Sequence, residues 1–127
     1  MDDAIAARRS DSTAVAAART YLRALVTHDV TGLRFEPAAV RLEFGLRTGK
    51  TGPRMMRDLA RGRQYRVIQG IRELHITESG DSVLATYLLD AGFGRLRLCT
   101  VSVVERFEVV DGSIAFVAAR IRPRSIL

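Results

Sequence analysis

The second half of the chain consists of alternating runs cut by turn signals, and this limits the fold more than any other feature. Tyr65 to Thr77 reads as one strand, Ser79-Gly80-Asp81 as a turn, and Ser82 to Asp90 as a second strand. Ala91-Gly92-Phe93-Gly94 turns the chain again, and the valine-rich run Arg95 to Val110 makes a long third strand. Period-two alternation rich in β-branched residues is the pattern of strands. Asp111-Gly112 then marks a hairpin, because a two-residue turn needs positive φ, which glycine adopts without steric cost. Ser113 to Ile121 returns as the fourth strand of the series.

The first half has a helical texture. Asp11 or Ser12 is placed to cap a helix, since a side-chain oxygen accepts from free first-turn amides. Ala14, Val15, Ala18, Tyr21, Leu22, Leu25 and Val26 follow at spacings of three and four, which puts an apolar stripe on one face and Arg19 and Arg23 on the other. His28-Asp29 ends this helix. Asp29 is positioned to cap a short second helix over Val30 to Phe35, with Pro37 breaking the chain. Ala39-Val40-Arg41-Leu42-Glu43-Phe44 alternates as a strand, and the glycines at 45, 49 and 52 predict a loop. Pro53 opens a further helix through Met55, Met56, Leu59 and Ala60, stopped by Gly62. Helices followed by consecutive strands mean α+β. The expected architecture is a curved antiparallel sheet forming a cone closed by about three N-terminal helices. Residues 1–10 are expected to be frayed and residues 11–127 to form a single domain.

Composition narrows the function. With 127 residues, 47% of them hydrophobic, the chain fits one domain with one core. No window approaches the ~18 consecutive apolar residues of a membrane span. The N-terminus, Met1-Asp2-Asp3-Ala4-Ile5, lacks an apolar signal core, so a cytoplasmic protein is expected. Cys99 is the only cysteine and reads as a small buried hydrophobe. Isolated histidines and a lone cysteine lack ligand spacing, and the glycines lack a phosphate-loop order, so neither a metal nor a cofactor is expected. The net charge is +6, but the arginines are spread along the chain and aromatics are sparse, which argues against a nucleic-acid partner. Arg120-Ile121-Arg122-Pro123-Arg124 reads as a solvated strand end.

Two segments carry a family resemblance. One is Tyr21 with Ala24-Leu25 and Asp29, followed by Leu33. The other is Glu105-Arg106-Phe107, followed by Asp111-Gly112 and Ile114. Together with the element order, they make the chain resemble the nuclear transport factor 2-like superfamily of cone-shaped domains. That superfamily includes SnoaL-like polyketide cyclases, ketosteroid isomerases, limonene epoxide hydrolase and scytalone dehydratase. The resemblance implies a cavity between helices and sheet. Against the isomerases, Tyr21 matches the tyrosine that donates to the developing enolate. Phe44 falls where an aspartate moves the proton, and Thr100 falls at or near the third catalytic position, so isomerase chemistry by that route is not expected. His28 does not match the sheet histidines of the dehydratase and reads as a helix-end residue. Limonene epoxide hydrolase uses an Asp-Arg-Asp arrangement with the arginine two residues from an aspartate. No such triplet occurs in Ile71-Arg72-Glu73-Leu74-His75-Ile76, where Glu73 and His75 read as a solvent-side pair, and Arg95-Leu96-Arg97 lacks the carboxylate.

The resemblance implies that alternate residues of the last strand, Ala115, Val117, Ala119 and Ile121, line the cavity. The opposite parity, Ile114, Phe116 and Ala118, is apolar too, and predicts burial against a second copy as a homodimer through the sheet. The expected ligand-binding wall is Tyr21, Leu25, Phe44, Met55, Met56, Leu59, Thr100, Val117, Ala119 and Ile121. Tyr21 is the best catalytic candidate, as an oxyanion donor, or else a core tyrosine with a bonded hydroxyl. Glu105 and Arg106, inside an apolar run, read either as a raised-pKa acid or ligand hook, or as cross-strand ion pairs. Asp90 reads as a pocket-mouth group or a turn initiator. The expected function is binding of a small, largely apolar organic molecule in the cavity. The alternative is a cyclase, isomerase or dehydratase acting without a cofactor on a carbonyl-containing or cyclic substrate.

Overall fold

The computed structural model describes residue 5, residues 11–43, 45–80 and 82–126, with no side-chain description at 126. Phe44 therefore lies outside the described residues, as does all of the 1–10 segment except Ile5, which is 1% exposed within the core. The elements run α1 (Thr13–Thr27), β1 (Phe35–Glu43), β2 (Leu46–Lys50), α2 (Gly52–Arg61), the single turn α3 (Arg63–Arg66), β3 (Ile68–Ser79), β4 (Ser82–Phe93), β5 (Leu96–Val110) and β6 (Ser113–Ile126). The six strands form an unclosed sheet in the order β2-β1-β6-β5-β4-β3. It is mixed, because β1 runs parallel to β6 while every other pair is antiparallel. α1 packs across β3, β4, β5 and β6, and α2 lies on β1 and β2, giving an α+β cone.

Local chemistry explains the main elements. Ser12 caps α1, its Oγ accepting from the Val15 amide at 3.1 Å. The α1 stripe buries Tyr21, whose ring meets Phe107 of β5 edge-on with centroids 5.2 Å apart. Such a pair adds about 1 kcal/mol to the burial of both rings. Asp111 and Gly112 both take positive φ, 49° and 79°, which turns β5 into β6 with a twist matching the strands. Gly92 sits where a Cβ would fall 1.9 Å from the Leu96 carbonyl oxygen, so only glycine fits there. Register shifts at Ala91/Gly92 and Glu108/Val109 bend the long strands into a shell.

Several expectations are corrected. No helix spans Val30 to Phe35. Asp29 Oδ1 accepts from the Thr31 amide at 3.0 Å and closes a turn through Gly32, after which Phe35 begins β1. Pro37 does not break that strand, because the β1–β6 register is interrupted between Phe35 and Val40, where no amide is required. The glycine-rich loop contains β2, entered through Gly45 at φ 77°. Tyr65 belongs to α3 instead of a strand. Arg19, expected on the solvent face of α1, is buried and pairs with Asp11 at 2.9 Å. Among the described residues no helix is long and apolar enough to cross a membrane, and no group of three or more potential metal ligands occurs.

Candidate functional site

Beneath α1, the concave face of the sheet leaves a cavity of about 220 Å³. Alternation decides its lining. Tyr87, Leu89 and Ala91 of β4, with Val101, Val103 and Glu105 of β5, share one face. α1 adds Tyr21 and Leu25, β6 adds Ala119 and Ile121, and the α3 region adds Tyr65, Val67 and Ile68. Most of this wall is apolar, as a site for a nonpolar ligand requires.

β1 reverses the expected pattern. Phe44 was the residue of this segment expected in the wall, yet Arg41 and Glu43 face the cavity and Leu42 the other side. A strand's side chains switch faces as a set, so a misjudged parity inverts the whole strand. Arg41 is only 2% exposed. Its Nε lies 3.2 Å from both Glu43 Oε1 and Thr48 Oγ1, its Nη2 donates to the Thr48 carbonyl at 3.3 Å, and its guanidinium sits 5.1 Å over the Tyr65 ring. Burial works against this charge, but Tyr21, Tyr65 and Glu43 outweigh it and hold Arg41 protonated. The Tyr21 phenol lies close enough to Arg41 for each group to shift the other's titration.

Glu105 is the central group. It is 3% exposed, and Tyr87 donates to its Oε1 at 2.6 Å. Among the described residues no cation lies within ion-pair distance of it, and Arg106 pairs instead with Glu108 at 2.8 Å on the outer face. Burial pushes Glu105 up to about 7. The Tyr87 hydrogen bond pulls it down, Glu43 pushes it up and Arg41 lowers it, so burial wins. Burial first, and Glu105 second, hold Tyr21 and Tyr87 well above the ordinary tyrosine range, so both remain neutral donors. An apolar cavity thus contains a carboxyl able to exchange a proton near neutrality, beside phenols and one fixed cation.

The sequence-derived wall divides five ways, with Phe44 outside the described residues. Tyr21, Leu25, Ala119 and Ile121 line the cavity. Met55, Leu59 and Val117 are fully buried in the core and do not line it. Ala115 does not line it either. Met56 borders a separate surface depression with Val30, Phe35 and Pro37. Thr100 lies on the face opposite Val101, where its hydroxyl donates to Asp90 Oδ1 at 2.6 Å and accepts from Arg97 at 2.7 Å. Asp90, clamped by Arg72 at 3.0 Å, is held below the ordinary carboxylate range by that hydrogen bond and belongs to this outer cluster. Glu73 and His75 are exposed beside a bulge at Glu73, and His28, with φ 61°, caps the end of α1. Arg41, Glu43, Tyr65 and Tyr87 were missed. One signal was available: Arg41-Leu42-Glu43 has the arginine–carboxylate spacing sought in a different strand.

The fold is that of NTF2-like proteins. The chain belongs to the family described as Domain of unknown function (DUF8021), whose profile matches residues 7–121. A comparison with curated proteins returns no match. Among solved structures, the chain is similar to an LEH-like epoxide hydrolase from M. tuberculosis, with a TM-score of 0.72, 24% identity, and coverage of 87% of this chain and 83% of that one. An NTF2-like protein of unknown function from Cytophaga hutchinsonii gives a TM-score of 0.66 and 13% identity, covering 91% and 95% of the two chains. An NTF2-like protein from Anabaena variabilis gives 0.66 and 14%, covering 94% and 95%. These likenesses concern the fold.

Proposed function

We propose that the protein is a cofactor-independent acid–base enzyme acting on a small, largely apolar organic molecule held in the Glu105 cavity. One observation carries this reading: a carboxyl with a midpoint of about 7 faces an apolar, ligand-sized space. A general acid or base works best when its pKa lies near the working pH. Tyr87 fixes Oε1 and leaves Oε2 for the substrate. Tyr21 is the donor available to a developing oxyanion, where a preorganised hydrogen bond in a dry site is most effective. The cavity is smaller than the ~300–1,000 Å³ of drug-sized pockets, which points to a compact substrate.

A second reading, opening of an epoxide or similar strained ring by water, is favoured by Arg41 flanked by Glu43 on its own strand and by Glu105 electrostatically. The similar epoxide hydrolase supports it at the level of fold. Both readings are tested by assaying turnover of compact cyclic ketones and epoxides against pH. The expected result is a limb near pH ~7, a loss of at least about 100-fold in Glu105→Gln, and a smaller loss in Tyr21→Phe. Full activity in Glu105→Gln would contradict both readings, and ketone or epoxide preference separates them.

Self-association through the outer sheet face belongs to the same proposal. Leu84 and Val104 are exposed there beside Leu42 and Ala118. Sedimentation velocity is expected to give a dimer that Leu84→Asp with Val104→Asp converts to monomer; a monomeric parent protein would remove this part.

A further inference from the structure

A groove of about 490 Å³ lies between β2 and α2, across the Arg41 guanidinium from the cavity. Thr48 and Asp58, which line the groove, also hold Arg41 Nη2 at 3.3 and 3.9 Å. Gly49 makes this close approach possible, since a Cβ there would stand 3.2 Å from Arg41 Nη2.

The groove's charge is one-sided. Arg47 and Lys50 reach it from β2, and Arg54 and Arg57 from α2, against the single carboxylate of Asp58. Among the described residues none of these four cations is in an ion pair. Among the described residues the ion-paired cations are Arg19, Arg41, Arg72 and Arg106; what sets the groove's four apart is that they converge on one depression. The local electrostatics oppose this arrangement. Arg54 stands near the start of α2, whose first turn has no acidic residue, and a helix dipole disfavours a cation there. Arg54 and Arg57, three residues apart on one helix, repel each other. A multiply charged oxyanion in the groove turns both penalties into attractions. The planar arginine fork also matches phosphate oxygens in pairs.

We infer that this groove binds a multiply charged oxyanion of a small molecule, of the phosphate or diphosphate type. The site is separate from the Glu105 cavity and does not depend on the chemistry proposed there.

Titration of ¹⁵N-labelled protein with inorganic diphosphate tests the inference. Saturable shifts are expected at the Arg47, Lys50 and Arg54 amides. Binding is expected to weaken roughly tenfold or more in the Arg54→Gln/Arg57→Gln double variant, and to change by less than about twofold in Arg120→Gln/Arg122→Gln. All four of these arginines are exposed, so both variants are expected to keep the parent spectrum elsewhere. Shifts that never saturate, or equal losses in the two variants, would overturn the inference in favour of diffuse attraction to a cationic protein. Single-stranded DNA forms the other arm. Tighter binding of DNA than of diphosphate, lost with Arg54 and Arg57, would assign the groove to a nucleic-acid backbone and overturn the small-molecule assignment. Neither variant touches the Glu105 cavity, so a negative result here leaves the acid–base reading standing.

Discussion

Glu105→Gln is expected to be more stable than the parent protein above neutral pH, although it removes a hydrogen-bonded group from the interior. The sign follows from proton linkage. Glu105 titrates at about 7 when folded against an ordinary value of 4.5. Between those values the folded state keeps a proton that the unfolded chain has lost, so stability falls as pH rises through that window. The contribution is fully present below the lower value and gone above the upper one. Moving the midpoint that far corresponds to roughly 3 kcal/mol. Glutamine keeps an acceptor for the Tyr87 hydroxyl and cannot ionise. The variant should therefore match the parent near pH ~4 and exceed it by roughly 2–3 kcal/mol at pH ~8. Denaturant midpoints of the two proteins across this range give the difference directly, and carboxylates common to both, such as Asp90, cancel. Parallel curves would mean that Glu105 titrates normally. A gain in stability on removing the proposed acid is the usual mark of a group retained for chemistry at a cost to the fold.

The second large effect is expected at Arg41. Arg41→Met keeps the volume and removes the charge, which leaves Glu43 and Asp58 without their nearby cation. Those carboxylates keep 28% and 37% side-chain exposure and stay partly solvated, so the loss is about 1.5–3 kcal/mol, the usual worth of hydrogen bonds to a charged group. Arg41 also lowers the Glu105 midpoint, so the variant should titrate Glu105 above the parent value. Thermal melts report the first effect and the NMR titration the second. A destabilised variant with an unmoved Glu105 would show that Arg41 supports the fold without tuning the site.

Some of this was legible in residues and some was not. The α1 stripe, the Pro53 start of α2 and the Asp111-Gly112 turn each rest on one local rule, and each appears where that rule puts it. Elements that depend on a neighbour were harder to read. β2 is a strand because it pairs with β1, and its glycines conceal this. Tyr65 is helical because α3 seats its ring beneath Arg41. The site suffered most from parity. Thr100 and Val101 differ by one position and face opposite sides, and β1 turns its charged side inward against the usual preference. Glu105 was visible as a carboxylate inside a valine run, but its partners were not. Burial raises its midpoint against the pull of the Tyr87 hydrogen bond, and both arise only when distant segments meet.

The most direct test of the account is the ¹³C chemical shift of the Glu105 side-chain carboxyl, followed by NMR from pH ~4 to ~9 in the unliganded protein. A single transition centred near 7, absent in Glu105→Gln, is the predicted result. A midpoint in the ordinary carboxylate range would mean that the group is solvated or paired, and would contradict the proposed chemistry at its root.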